Sequence, residues 1–217
     1  MSRELRERAW SKLSGNWGGP IAVSLVFGLI IGLVNGLSQY VPFIGLASIV
    51  VSGPLAVGLA GYFLSFAKSE NPVFDRLFDP FKNSFGNSIV LSLLTTIFVL
   101  LWMLLLIIPG LIKAIAYSMA PYLLSENPNM SPTEALDESQ RLMNGHKMDF
   151  FVLGLSFLGW ILLGLITLGI AFIWVSPYIS AAQAEFYLEI TGGNNRVVDA
   201  EVSENKSEED TFESFLK

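Results

Sequence analysis

Hydrophobic residues in this chain form six long runs, separated by short turns or by polar stretches. The runs cover residues 19–37, 44–66, 88–108, 111–124, 149–168 and 170–190. A helix needs roughly 20 apolar residues to cross the hydrocarbon core of a bilayer, and most of these runs are close to that length. The pattern therefore predicts an all-α, polytopic membrane protein with six transmembrane helices arranged as three hairpins.

A polar segment with helical periodicity precedes each predicted hairpin. In residues 2–17 the apolar stripe consists of Leu5, Ala9, Leu13 and Trp17, which recur at every fourth position. Residues 72–87 space their apolar side chains by three and four, with Asn71 as a predicted N-cap and a break at Pro80. Residues 131–134, with sequence SPTE, form a capping box that opens the third segment. Each segment is therefore predicted to be an amphipathic helix lying at the membrane interface.

Further local signals predict where helices end or turn. One face of the third polar segment consists of Ala135, Leu136, Ser139, Leu142 and Met143. Gly145 is then predicted to end that helix, because glycine is the preferred residue just after a helix C-terminus. Pro109-Gly110 is predicted to form the turn between the third and fourth runs. Pro54 lies inside the second run, where neighbouring helices can tolerate it.

The first apolar run contains three glycines at four-residue spacing, Gly28, Gly32 and Gly36. Small residues at this spacing let another helix approach closely. We favour packing of these glycines inside the protein's own helix bundle. The alternative is a homo-oligomer in which the first span of one copy packs against that of another.

Lysine and arginine are distributed unevenly between the predicted turns. None occurs between Lys12 and Lys68, between Lys82 and Lys113, or between Lys147 and Arg196. These gaps contain the turns inside the three hairpins, whereas basic residues occur near the N-terminus, in the two polar connections and in the tail. The positive-inside rule then places both termini and both connections in the cytoplasm. We therefore predict a multi-pass protein of the cytoplasmic membrane.

The order of polar segments and hairpins indicates an internal repeat, with units at residues 3–67, 72–125 and 131–190. The tetrapeptide SENP follows or closes the first two units, at residues 69–72 and 125–128. Residues 1–190 are predicted to form one membrane domain. Residues 191–217 hold seven acidic and three basic side chains, and we predict that they form a disordered cytoplasmic tail.

Composition agrees with a membrane protein and narrows its chemistry. Charged residues make up only 15% of the chain, against roughly 25% in an ordinary soluble domain. The chain has no cysteine, which excludes disulfides and thiolate metal sites, and His146 is its one histidine. It has no phosphate-binding glycine loop, zinc-protease motif, nucleophile elbow or basic stripe for nucleic acid. We therefore predict no catalytic residues, no cofactor, no metal and no nucleic-acid partner.

Lys113 and Glu185 are ionisable residues within the predicted spans, where charges are costly and often functional. Counting from the helix-breaking prolines places them about one helical turn apart, roughly 6 Å, so that they can pair. Counting from the turns places Lys113 near the outer surface, where it snorkels outward, and Glu185 near the inner surface; we favour this second interpretation. Tyr117 and Gln183 are the other candidates, either lining a polar cavity or, as we favour, making interhelical hydrogen bonds.

Aromatic and boundary residues complete the candidate set. Trp10, Trp17 and Tyr40 are predicted to anchor the protein at the membrane interface. Trp160 and Trp174 are predicted to pack within the helix bundle instead. Asp149 and Glu189 are predicted to be solvated at the inner boundary.

Several stretches resemble a known family. They are IIPGLIKAIAYSMAPYLLSENP, SPTEALDESQRLMNGHKMDFF, LSFLGW and SPYISAAQAEFY. Together they resemble the bacterial domain-of-unknown-function family 975, from the N-terminal helix to about Tyr187. The turn followed by EALDESQRLMNGHK is also distantly similar to the membrane domain of some bacterial glycerophosphodiester phosphodiesterases. The resemblance implies a bacterial membrane fold and implies no activity, because no separate catalytic domain is present.

Three classes of function are compatible with these features. The first is a non-enzymatic membrane module that acts on lipids or on a protein partner at its cytoplasmic face, and we rank it highest. The second is a small transporter or channel, which would use helix breaks and the pair Lys113 and Glu185. The third is a membrane enzyme acting on lipid, for which no organising motif is visible. Water around Lys113 and Glu185 would favour transport, whereas a dry, packed centre would favour the first class.

Overall fold

The computed structural model describes residues 2–38, 44–68, 70, 72–167 and 169–192, and all regular secondary structure in these residues is helical. The helices are α1 Ser2–Leu13, α2 Gly18–Ser38, α3 Ile44–Ala67, α4 Asp79–Asn83, α5 Phe85–Leu105, α6 Ile107–Ala116, α7 Ala120–Glu126, α8 Pro132–Leu142, α9 Lys147–Leu155, α10 Leu158–Ile166 and α11, residues 172–192. A 3₁₀ helix, Phe74–Phe78, precedes α4. The predicted tail from residue 193 onward and the predicted anchor Tyr40 lie outside the described residues.

Five segments of the described chain are long and apolar enough to cross a membrane. They are Gly18–Leu37, Val50–Ala67, Phe85–Leu105, Ile107–Glu126 and Lys147–Ile166. These segments identify a multi-pass membrane protein. α11, which contains the predicted sixth run, is not among them. It carries Gln183, Glu185 and Glu189, whose polar side chains lower its hydropathy, so six crossings stay a prediction.

Burial divides the molecule into a packed part and an apolar part that faces outward. The packed part surrounds the second half of α3, where Leu55 and Phe63 are fully buried. The outward part includes the end of α5 and the start of α6, where Leu104 is 85% exposed. Exposed leucine and isoleucine over consecutive positions are expected for a surface that contacts lipid rather than water.

The apolar stripe of α1 packs against protein, which corrects the prediction that this face contacts lipid. Leu5, Ala9 and Leu13 are all at most 1% exposed and belong to the main core. Tyr178 of α11 donates a hydrogen bond to the Arg6 carbonyl at 3.3 Å, which ties α1 to α11. An apolar stripe has the same spacing in the sequence whether lipid or protein covers it. The sequence therefore could not distinguish a lipid contact from a protein contact.

The segment 72–87 also differs from its prediction. It forms the 3₁₀ helix and the short α4 instead of one amphipathic helix, and Pro80 lies in the first turn of α4. Leu77 is fully buried beneath Gly58 of α3, where a side chain on the glycine would collide with the Leu77 backbone. The chain therefore packs onto α3, and Asn71, the predicted cap, lies outside the described residues.

The turn between α5 and α6 occurs at Leu106, not at Pro109-Gly110. Leu106 has an extended backbone, with φ −159° and ψ 135°. Pro109 lies in the first turn of α6 instead, where its missing N–H costs no helical hydrogen bond. Gly110 packs tightly against Met103 of α5, and a β-carbon there would collide with the Met103 backbone.

The predicted capping box is confirmed at the start of α8. The Ser131 side chain accepts from the Glu134 N–H, and the Glu134 side chain accepts from the Ser131 N–H. Gly145 follows the helix with φ +85°, a left-handed conformation that glycine adopts without strain. α8 packs against α5 and α7, so protein and not lipid covers its predicted apolar face.

Two of the predicted single spans are interrupted. The fourth is broken into α6 and α7 at residues 117–119, and Ser139 of α8 inserts there. Its Oγ donates to the Ala116 carbonyl at 2.7 Å and accepts from the Met119 N–H at 3.2 Å. The fifth is broken into α9 and α10 at residues 156–157.

Candidate functional site

Charged side chains meet where α1 crosses the ends of α3 and α11. The Lys12 Nζ lies 2.5 Å from the Glu185 Oε1, and it also donates to the Ala67 carbonyl. The Glu185 side chain is only 5% exposed and that of Lys12 is 31% exposed. A carboxylate at this depth needs a cation beside it, so Lys12 compensates the charge that α11 buries.

A second ion pair joins α1 to α11 closer to the surface. The Arg8 guanidinium donates to the Glu189 Oε2 at 2.7 Å. This hydrogen bond raises the pKa of Arg8 above its ordinary value. Glu189 was predicted to be solvated; it is partly exposed, but it is also paired.

Glu126 links α7 to α3 and α11 and was not among the predicted site residues. The Lys68 Nζ lies 2.5 Å from the Glu126 Oε1, and the Tyr187 hydroxyl donates to the Glu126 Oε2 at 2.6 Å. The Tyr187 ring stacks on Tyr122 with ring centroids 5.3 Å apart. The repeated SENP sequence was the available signal, because Glu126 lies in its second copy and Lys68 directly precedes the first.

These carboxylates are held by cations and are not arranged around a reactive group. The described residues contain no cluster of three or more His, Asp or Glu side chains placed to hold a metal. The His146 Nδ1 lies 3.7 Å from the Asp149 Oδ2, beyond hydrogen-bond distance, and both side chains are exposed by more than a third. In the described part of the chain, these side chains therefore fit structural ion pairs better than general acid–base catalysis.

A polar-lined cavity of about 360 Å³ lies between α1, the start of α2 and the end of α3. Its polar lining consists of Ser11, Lys12, Ser14, Asn16, Tyr62 and Glu70. Tyr62 approaches α2 so closely that a β-carbon on Gly19 would lie 2.6 Å from its hydroxyl oxygen. The cavity offers one cation, one anion and several neutral hydrogen-bonding groups.

An aromatic pocket of about 420 Å³ borders α1, α10 and α11. Its lining includes four of the chain's five tryptophans and Tyr178: Trp10, Trp17, Trp160, Trp174 and Tyr178. Trp10 meets both Trp17 and Tyr178 edge-to-face at 5.5 Å. Trp160 and Trp174 are 40% and 50% exposed, so the prediction that they pack within the bundle is wrong.

Lys113 points toward α8, which corrects the prediction that it snorkels outward. Its Nζ donates to the Gln140 Oε1 at 2.6 Å and lies 5.7 Å from the Trp102 ring and 5.6 Å from the Tyr117 ring. The amide and the two aromatic faces supply electron density to the ammonium group. α8 supplies the partner because it packs against α5 and α7, which brings Gln140 within reach of Lys113.

The predicted polar residues are therefore divided between two places. Lys113 and Tyr117 lie together near α8, and Tyr117 is buried. Glu185 lies against Lys12, and Gln183 is half-buried on the same helix, α11. Neither Lys113 nor Glu185 lines the polar cavity or the aromatic pocket.

The glycine face of α2 lines an apolar groove of about 660 Å³ against α11. A β-carbon on Gly28, Gly32 or Gly36 would meet no neighbouring atom within 4 Å among the described residues. The favoured prediction, that these glycines pack within the protein's own bundle, is therefore wrong. α2 packs on α3 through another face, and no helix described in the structure fills the groove.

Comparison with protein families identifies a family whose model matches most of the chain. The model of the family described as Protein of unknown function (DUF975) matches residues 1–116 and 103–194. No curated protein and no solved structure matches the chain. The distant similarity to the membrane domain of glycerophosphodiester phosphodiesterases therefore stays a prediction. Because the matched segments cover most of the sequence, the chain belongs to the DUF975 family of proteins of unknown function.

Proposed function

We propose that this protein is a non-enzymatic membrane module that binds a phospholipid beside α1. The observation that carries the proposal is the aromatic pocket, which gathers four of the five tryptophans next to a charged helix. Tryptophan is enriched where membrane meets water, because its ring is apolar and its N–H needs a polar partner. The pocket therefore suits the part of a lipid where the acyl chains join the headgroup.

The polar cavity supplies complementary groups near the same helix. Beside its contacts with Glu185 and the Ala67 carbonyl, the Lys12 ammonium group has a third N–H that suits a phosphate oxygen. Glu70 suits an amine, so the two residues can hold a headgroup that carries both charges. Tyr62 and Asn16 add neutral hydrogen-bonding groups. The volume of about 360 Å³ is at the small end of the range for ligand pockets, roughly 300–1,000 Å³.

The surroundings of Glu185 favour this function over transport. A proton or ion pathway needs polar residues that face water in the centre of the bundle. Glu185 is instead buried against Lys12, and Lys113 is bonded to Gln140 on another side of the molecule. A protein partner at the cytoplasmic face stays a prediction alongside lipid binding.

Retention of phospholipid by the purified protein tests the proposal. We expect the full-length chain in mild detergent to keep bound phospholipid, counted by native mass spectrometry. The variant Trp160→Leu/Trp174→Leu should lose it, because both rings line the pocket. Trp102→Leu is the matched control, since Trp102 lies outside the pocket. Equal retention by the wild type and both variants, or none by the wild type, would contradict the proposal.

A further inference from the structure

The groove between α2 and α11 has a polar end and an apolar length. Ser24 and Ser176 line it together with the leucines and glycines of α2 and with Phe172 and Ile173 of α11. Both serines lie toward α1. Ser24 is close to the start of α2, and Ser176 is two residues from Tyr178, which is bonded to α1. The remainder of the lining is apolar.

Ser24 provides evidence for a ligand that is independent of the glycines. It is 8% exposed, and its Oγ has no hydrogen-bond partner in the described residues. Buried hydroxyl groups nearly always have a partner, because leaving one unpaired is destabilising. A serine within a helix can bond to the carbonyl four residues earlier, but Ser24 does not do so. A ligand atom in the groove would complete its hydrogen bonding.

The dimensions of the groove fit one acyl chain. Ser24 and Leu37 are at its two ends along α2, and thirteen residues of helix correspond to roughly 20 Å. One leaflet contributes about half of the 30 Å hydrocarbon core, or about 15 Å. A chain that occupies one leaflet can therefore extend from Ser24 past Gly28 and Gly32, along about three quarters of the groove.

A second copy of this chain fits the groove less well. A symmetric dimer brings identical surfaces together, so each groove would face another groove. Glycine-mediated helix pairs need two flat faces whose backbones touch. Here the glycines line a groove together with Phe172 and Ile173 of α11 and with Leu29 and Leu33, each of which is 63% exposed. Two concave surfaces leave an empty space between them.

We infer that the groove between α2 and α11 binds one acyl chain of a membrane phospholipid, whose ester carbonyl accepts a hydrogen bond from Ser24. The ester then lies at the end of the groove nearest α1, a helix that carries four basic and two acidic side chains. The inference shares only its ligand class with the proposed function, because the groove and the aromatic pocket have no residue in common.

Photo-crosslinking tests this site. The full-length chain is placed in lipid nanodiscs with a phospholipid that carries a diazirine on one acyl chain, and labelled peptides are mapped by mass spectrometry. We expect labels to concentrate on residues 24–37 and 169–176. Gly32→Leu should reduce them to background by filling the groove without a clash. Ser24→Ala should lower occupancy about fivefold, the effect of one lost hydrogen bond.

Gly159→Leu is the matched control. Gly159 also lies in an apolar helix, has no neighbour within 4 Å of its β-carbon position, and is outside the groove. Its labelling should equal that of the wild type. Labels spread along all apolar helices and unchanged by Gly32→Leu would overturn the site. So would a wild-type dimer that Gly32→Leu dissociates, or labelling by a photoactivatable free fatty acid and not by the phospholipid.

The two lipid sites can fail separately. Trp160→Leu/Trp174→Leu should remove the lipid beside α1 and leave the labels on α2. Gly32→Leu should remove the labels on α2 and leave the lipid beside α1. If the α2 labels disappear only in the tryptophan variant, the groove has no lipid of its own, and the inference is wrong while the proposed function stands.

Discussion

Lys12 and Glu185 show how one long-range pair fixes the position of α1. Glu185 is nearly buried, and Lys12 is the cation that contacts it. Sequence spacing could not predict this pair, since the two residues come from opposite ends of the membrane domain. The prediction from sequence instead considered Lys113 as the partner, because only residues inside the apolar runs were compared.

Replacing Lys12 should be costly because it leaves Glu185 charged, buried and unpaired. We expect Lys12→Met to lower the free energy of unfolding by about 3 kcal/mol, the low end for breaking a buried pair, since Lys12 is partly exposed. The double variant Lys12→Met/Glu185→Met should recover most of this loss, because apolar replacements need no counter-charge. Unfolding by sodium dodecyl sulfate from mild detergent measures both.

Arg8→Met is the control for the Lys12 experiment. The Arg8 and Glu189 side chains are 48% and 39% exposed, and exposed pairs contribute about 0.2–1 kcal/mol. A loss for Lys12→Met no larger than that for Arg8→Met would mean that Glu185 does not depend on Lys12.

Among the helices, α8 determines how the fourth apolar segment is built. Its buried Ser139 bonds to the last carbonyl of α6 and to the N–H of Met119, so it replaces helical hydrogen bonds that the break removes. The capping box and the buried face of α8 were predictable because they are local patterns. The break itself was not, because the bond that stabilises it comes from another helix.

Ser139→Val should therefore destabilise the protein more than the small change in side-chain volume suggests. It leaves the Ala116 carbonyl and the Met119 N–H buried without this partner, which costs about 1–3 kcal/mol for each buried group left unpaired. The thermal midpoint in detergent should fall, and hydrogen exchange should increase selectively at residues 116–119. Thr133→Val, at an exposed position in the first turn of the same helix, should leave both measurements unchanged. Unchanged exchange at the break in Ser139→Val would show that α8 does not stabilise it.

For the whole molecule, the path of α11 decides how many times the chain crosses the membrane. Its apolar start lines the groove beside α2, and its later residues contact α1 through Glu185 and Glu189. A helix that contacts both the middle of a span and the N-terminal helix runs back toward the side on which α1 lies. We therefore expect α11 to cross despite its polar residues, because those residues are covered by protein and not by lipid.

Single-cysteine labelling tests this path directly, since the chain has no native cysteine. Arg3→Cys, Thr133→Cys and Thr191→Cys should react with a membrane-impermeant maleimide only after the cells are permeabilised, because α1, α8 and the end of α11 are predicted to lie on the cytoplasmic side. Gln39→Cys, in the predicted outer link between α2 and α3, should react in intact cells. Reaction of Thr191→Cys in intact cells, with Arg3→Cys still protected, would show five crossings. That result would place α1 and the end of α11 on opposite sides of the membrane. It would therefore rule out the contacts between Lys12 and Glu185 and between Arg8 and Glu189.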